Sequence, residues 1–476
     1  MCSILVRVWR EGAPMTLIAL AALAGCRPPE QRAAQFAAQY EAAMANNDPW
    51  HARQAMLRAV QIDDANAQYW TALGRVQLTM GDYSGAFGAF TRANELDRSD
   101  AVVLQALADL SALSGRVEDA RRFANQVLLL QPSDPAPQAT LGFVALHERD
   151  YAGALQRADA VLASRPTDSN ATVLKARALA SSGEQDQALA LLDRYVADHP
   201  ADAPSLETLA TIAARFDRLA PLAVAREKLL ALRPRDAALR VGYADTLYRL
   251  GRRDRARALT EQMVAGDHGG ALIDVLALWR RYEPREWGVA RARALAPRAS
   301  VADRLRYAYF LMLSGEADEA EALVAPLARP PVTAANASAL ALLAQTRAAQ
   351  GQDRAAETLL DQVLAFDRSN VVALRARADL YLRTGRGRQA VFDAQRLVAE
   401  KPRAADDRVR LARAYQQAGQ PQLAENALRG GLQDIPADPL LRDHLRLFLV
   451  AAGRRDDVAA LDQQFVEQQR LARAQW

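Results

Sequence analysis

The stretch that decides the fold runs from Tyr69 to Asp100, "YWTALGRVQLTMGDYSGAFGAFTRANELDRSD". Trp70 and Leu73 lie on one stripe of a helix, and Gly74 beside them leaves room for a second helix to approach closely. Gly81 stands where the chain must turn, in the left-handed region that glycine enters most easily. Beyond it Ala86 and Ala93 are small where helices cross, and Phe90 fills the groove between them. The stretch is therefore a helical hairpin.

The hairpin recurs. "GDYSGA" from Gly81 returns as "GRVEDA" from Gly115, "GEQDQA" from Gly183 and "GRRDRA" from Gly251, positions that differ by 34 or its multiples. It continues at Gly315, Gly351, Gly385, Gly419 and Gly453. Prolines keep the same interval at Pro132, Pro166, Pro200 and Pro234, then at Pro402 and Pro436, each ending a second helix. A 34-residue period with a turn glycine and a terminating proline resembles the tetratricopeptide repeat. Trp70, Leu73, Gly74, Gly81, Tyr83, Ala86, Phe90 and Ala93 match that family's pattern. The resemblance implies an all-α fold, a right-handed superhelical solenoid. Its turn positions at 47, 81, 115, 149, 183, 217, 251, 285, 315, 351, 385, 419 and 453 define about thirteen hairpins. Asn47, Arg149, Asp217 and Arg285 stand in place of glycine.

Two intervals break the period. Positions 251 and 315 differ by 64, four short of two repeats, with "AGDHGG" where a proline belongs; positions 315 and 351 differ by 36, with "PLARPP" in the loop. These breaks divide the array into a regular part at 33–264, an irregular part at 265–332 and a regular part at 333–476. The last hairpin has a polar outer helix, as a solenoid end requires.

The N-terminus has another character. "MTLIALAALAG" from Met15 carries no charge but is shorter than the roughly 18–20 residues a spanning helix needs. Arg7 and Arg10 precede it, which is the order of a secretory leader. "LAGC" at Leu23 to Cys26 resembles the lipobox of bacterial lipoproteins. That resemblance implies a signal peptide at 1–25, cleavage before Cys26 and lipidation of its thiol. Cys2, the only other cysteine, lies in the leader, so Cys26 would have no disulfide partner. Residues 26–32, with paired prolines, form an extended spacer. Arg27 stands where aspartate would signal inner-membrane retention. The expected location is the cell envelope, lipid-anchored and facing the periplasm, at the outer membrane.

Lys and Arg number 60 against 56 Asp and Glu, a surplus too small to imply nucleic-acid binding. The histidines at 51, 147, 199, 268 and 444 are scattered, with no metal-ligand spacing. "TGRGRQA" around Gly385 looks like a phosphate cradle but follows a helix at the repeat's turn position. The reading is of a protein that is not an enzyme, with no cofactor, no catalytic residue and no metal.

The array offers surface. The family resemblance implies that first helices line a concave face, whose residues beside the buried stripe meet protein partners, often extended peptides. In the hairpin turning at Gly251, Tyr243, Ala244 and Leu247 form the stripe and leave Val241 and Tyr248 towards the groove. In that turning at Gly315, Tyr307, Ala308 and Leu311 leave Leu305, Tyr309 and Met312 outward. Strict phase puts Val275, Trp279 and Tyr282 in the groove as well; a shift of one residue would return all three to the core. The whole resembles repeat lipoproteins of exopolysaccharide and exosortase systems, and implies a membrane-tethered scaffold that binds partner proteins in an export or assembly machine. A carbohydrate-binding component contacting an exported polymer, and a lipoprotein of pilus or outer-membrane protein assembly, are the alternatives.

Overall fold

The computed structural model describes residues 28–266 and 270–474. The leader, Cys26 and His268 lie outside the described residues. Among those described there are 26 α-helices and no strand, and consecutive helices pack in pairs. The chain divides into two compact units, one up to Ile212 and the other from Ala213 onward. Each is a stack of helical hairpins in which a helix touches chiefly the elements next to it in sequence. The first helix, Pro29–Ala45, starts earlier than the spacer expected at 26–32 allows. Proline suits the first position of a helix, where its missing N–H would have no partner anyway, so Pro29 opens the array and Pro28 alone of the described pair is extended.

The turns explain the period. Gly81, Gly115, Gly183, Gly251, Gly315, Gly351, Gly385, Gly419 and Gly453 all have positive φ, between 70° and 96°. Asn47, Arg149 and Asp217 adopt it too, at 54°, 65° and 55°. Each of these three leads into a residue whose N–H closes back on the helix just ended, as Asp150 does on Ala145 O at 2.8 Å. Those closures satisfy carbonyls the helix end would leave bare. Gly385, in "TGRGRQA", is one of these turns, and Arg386 after it pairs with Glu357 at 2.8 Å.

The start of many first helices is governed by a feature the repeat phrase does not contain, although Ala271, Asn336 and Ala404 cap theirs without a side-chain bond. Asn66, Asp100, Asp134, Asp168, Asp202 and Asp236 stand one repeat apart, and each side chain accepts a backbone N–H from the first turn of the following helix. Asn370 and Asp438 do the same in the C-terminal hairpins. Such caps contribute about 1 kcal/mol each. At the ends of the second helices, Gln131 and Arg165 close them in non-helical geometry because Pro132 and Pro166 follow.

Close packing depends on the small residue found seven positions before most of the turns. Gly74 is a tight case: a Cβ there would sit 2.8 Å from the ring of Phe90, which is itself buried. Replacing Gly74 with leucine is expected to cost about 1–3 kcal/mol by overpacking. Hydrogen exchange should rise in residues 67–98 and remain unchanged beyond the neighbouring hairpins, because each hairpin contacts chiefly its neighbours. Uniform loosening of the chain would contradict this.

The irregular stretch resolves into two equal steps. Glu283 lies midway between Gly251 and Gly315, and the burial pattern follows this division: Val275, Leu276, Leu278 and Trp279 are buried as Tyr243, Ala244, Thr246 and Leu247 are. Gly288 then falls in the column of small residues occupied by Ala256 and Ala320, and it is buried, whereas Ala290 is exposed. The turn is therefore at Glu283 and not at Arg285, which is the first residue of the next helix, Arg285–Leu295. Glu283 is extended, φ −95° and ψ 153°, because Pro284 follows it. The deviation from strict phase is two positions. In the next hairpin the second helix, Ala317–Val324, stops after 8 residues, and a loop carries the chain to Ala337.

Candidate partner-binding face

One column of side chains defines the outward face of the first helices. The residue six positions before each regular turn is half-buried or exposed in every hairpin from Glu41 to Leu447, with Arg75, Asp109, Phe143, Asp245, Tyr309 and Asp379 among them. Strict phase would add Trp279 to this column. The structure instead buries Trp279 to 1% exposure and sets Ala277 outward.

Trp279 belongs to the core. Its indole N–H donates to Thr260 Oγ1 at 2.9 Å and its ring meets Trp287 edge to face, centroids 5.2 Å apart. Val275, on the same helix, is buried as well. Tyr248 is buried too, against the expectation that it faces the groove. Its hydroxyl donates to Glu283 Oε1 at 2.9 Å, and its ring stacks on Tyr282 at 4.9 Å. Tyr282 is half-buried and donates to Asp245 Oδ1 at 2.9 Å. Burial, countered by Thr260 and reinforced by the Glu283 carboxylate, pushes the Tyr248 hydroxyl well above the ordinary tyrosine range. It stays protonated and serves as a donor.

At the centre of this cluster is Glu283, with a fully buried carboxylate. Arg257 grips it through two bonds, Nη2 to Oε2 at 2.6 Å and Nε to Oε1 at 3.2 Å, and lies over Trp287 with 4.7 Å to the ring centroid. Sequence reading had no signal for this site beyond the missing glycine. The residue that replaces the left-handed turn is the acid that the preceding hairpin neutralises.

The remaining candidates stay at the surface. Tyr309 is 46% exposed, and Leu305, Met312 and Val241 are half-buried against the core. The guanidinium of Arg375, two hairpins on, has Tyr309 among the groups acting on its charge. Arg375 is itself committed to Asp407, Nη2 to Oδ2 at 2.6 Å, and Asp407 is shared with Arg410 at 2.6 Å. The face around Tyr309 thus offers an aromatic ring and aliphatic shoulders, with the nearby cations already paired. Among the described residues no group of three or more His, Cys, Asp or Glu side chains is placed to hold a metal ion, and no helix is long and apolar enough to cross a membrane.

Residues 77–142 and 145–212 match the tetratricopeptide repeat family model. The fold is an all-α array of hairpins of the tetratricopeptide type, and the protein has the make-up of a scaffold. No curated protein matches the chain. Among solved structures it is similar to a thermophilic tetratricopeptide repeat protein of Thermus thermophilus, at 22% identity over 38% of this chain and 99% of that one, TM-score 0.35. It is also similar to PilW, a type IV pilus biogenesis factor, at 20% identity over 42% of this chain and 93% of that one, TM-score 0.34. A third is the Naa15/Naa10 complex bound to HypK-THB, at 16% identity over 91% of this chain and 68% of that one, TM-score 0.34.

Proposed function

We propose that this protein is a scaffold tethered by lipid at Cys26 in a bacterial envelope, where the outward face of its first helices holds partner proteins within an export or assembly machine, with exopolysaccharide export as the leading instance. The observation that carries the scaffold reading is the surface around Tyr309. An exposed aromatic ring flanked by Leu305 and Met312 has no structural need to be there, and aromatic anchors in such clusters commonly supply much of an interface's affinity. The "LAGC" segment supports the anchor, since two or three acyl chains on one cysteine hold a protein almost permanently.

Affinity capture from membranes tests both parts. Tyr309→Ala should reduce the yield of co-purified partners while leaving the melting temperature within about 1 °C, as expected for a surface substitution. Cys26→Ala should remove lipid mass from the N-terminus and release the protein from the membrane fraction. Unchanged capture by the Tyr309 variant would move the binding surface elsewhere, and wild-type protein recovered in the soluble fraction without lipid would end the anchor reading.

A further inference from the structure

The N-terminal unit contains a cavity that the repeat pattern does not account for. It measures about 430 Å³ and runs along the outward face of the helix Ala101–Leu113. Leu78, Val102, Ala106 and Leu113 supply apolar walls, with Val102 and Leu113 54% and 74% exposed. Gln105 and Asp109 lie on the same wall, and Asp134 stands at the rim.

The polar groups in this wall are incompletely matched. Asp109 Oδ1 accepts from Thr140 Oγ1 at 2.6 Å and from Gln105 Nε2 at 2.8 Å, and Gln105 Nε2 also donates to Thr140 Oγ1 at 2.9 Å. Both donors of the triad are therefore consumed on one carboxylate oxygen and one hydroxyl. Asp109 Oδ2 accepts nothing from the described residues, and Gln105 Oε1 is buried with no donor in reach. Among the described residues no arginine or lysine forms an ion pair with Asp109: one repeat further on the outward column holds Phe143, and the Arg165 guanidinium is taken by Asp134 at 3.1 Å. A carboxylate oxygen on a partly buried wall, left without a donor, keeps part of the cost of losing its water, which a ligand carrying the donor would remove. The free Asp109 Oδ2 beside apolar walls suits a long aliphatic stem ending in a cationic donor.

We propose that this cavity is an anchor pocket for a single basic side chain, lysine or arginine, presented by a protein partner. The stem lies along Leu78, Ala106 and Leu113, and the head donates to Asp109 Oδ2, the carboxylate oxygen that Gln105 and Thr140 leave free. This inference rests on the scaffold reading and adds to it the chemistry of what the N-terminal unit selects. Asp109 itself carries the mark of such a site. Burial, opposed by its bonds to Thr140 and Gln105 and aided by the charge of Asp168, raises its pKa to about 6. A carboxyl group raised in this way favours the fold most at pH values below its ordinary range, and that contribution is lost as pH rises through about 6, so at neutral pH the free protein holds a charge it would be more stable without. Groups that cost stability in the empty protein and are relieved by a ligand are characteristic of binding sites.

The test uses the full chain and synthetic peptides acetyl-Ala-Ala-Xaa-Ala-Ala-amide, where Xaa is lysine, arginine, norleucine, glutamine or glutamate, followed by methyl NMR of Val102, Leu110 and Leu113. The lysine and arginine peptides should shift these methyls saturably, and the others at least tenfold more weakly. Asp109→Asn keeps the two bonds on Oδ1 and turns Oδ2 into a donor. It should weaken the basic peptides at least tenfold and raise the melting temperature at pH 7.5, with no difference near pH 4. Ala106→Met, which fills the cavity, should abolish the shifts with Asp109 intact. Equal binding of the norleucine or glutamine peptide would overturn the proposal, as would absence of a response to every peptide. Those outcomes leave partner capture through Tyr309 untouched. Loss of capture by the Tyr309 variant with no effect of Asp109→Asn on the basic peptides would retain the scaffold and reject this pocket.

Discussion

Trp279→Ala should destabilise the C-terminal unit by about 3–5 kcal/mol, the range for removing a large aromatic side chain from a packed core. The indole is among the largest fully buried side chains, it contacts Trp287, and its N–H satisfies Thr260 Oγ1. Truncation therefore empties a volume and removes the donor to Thr260 Oγ1, whose own bond to Arg257 O at 2.9 Å remains. Hydrogen exchange should accelerate across the helices Arg253–Ala265, Leu272–Tyr282 and Arg285–Leu295, with little change before position 212. Trp279→Phe should recover much of the packing but not the bond to Thr260, falling between the two. A melting temperature unchanged in Trp279→Ala, with partner capture lost, would return this residue to the binding face.

The second large effect concerns the buried acid. Arg257→Leu keeps an apolar side chain at the position but leaves Glu283 without a countercharge in a site from which its carboxylate has no access to water. Breaking such a pair from one side costs about 3–5 kcal/mol, whereas replacing both charges is often neutral. The double variant Arg257→Leu with Glu283→Gln should therefore be markedly more stable than Arg257→Leu alone, because the glutamine amide still accepts from Tyr248. Denaturant unfolding of the four proteins measures the coupling directly. Additive losses would mean that the pair is not an energetic unit.

Both effects sit where the sequence was hardest to read, and the reason is physical. Turn glycines declare themselves because left-handed backbone is costly for other residues. Twelve of the turn positions legible in the sequence, Asn47, Arg149 and Asp217 included, carry that backbone. At Glu283 the chain turns in extended conformation ahead of a proline, so no glycine is required and the strict interval misplaces the turn by two positions. Trp279 moves from face to core with it. Tyr248 stands at an outward position of the correct phase, yet its burial depends on Tyr282 and Glu283, which come from the end of the following first helix. The Asp109 pocket was invisible for a similar reason. Its partner Thr140 belongs to the next hairpin, and an aspartate on an outward face is by itself ordinary. Local geometry was legible; contacts between hairpins that replace the repeat's usual residues were not.

The evenly spaced Asp and Asn caps have a bearing on how such a chain changes over generations. Each cap binds the backbone of the helix it introduces, within the same repeat, and needs nothing from the hairpin before it to do so. A recombination event that removes or duplicates one repeat's length of coding sequence, cut anywhere within the period, rejoins equivalent positions and leaves each capped first helix with its own start signal. Loss of the segment between Asp100 and Asp134 would place one aspartate where another had been. Length in this protein is thus an inheritable variable that can drift by whole hairpins. The two shortened steps around Glu283 are exempt, because they are held together by an acid and a base from different repeats, and neither can be copied or lost alone.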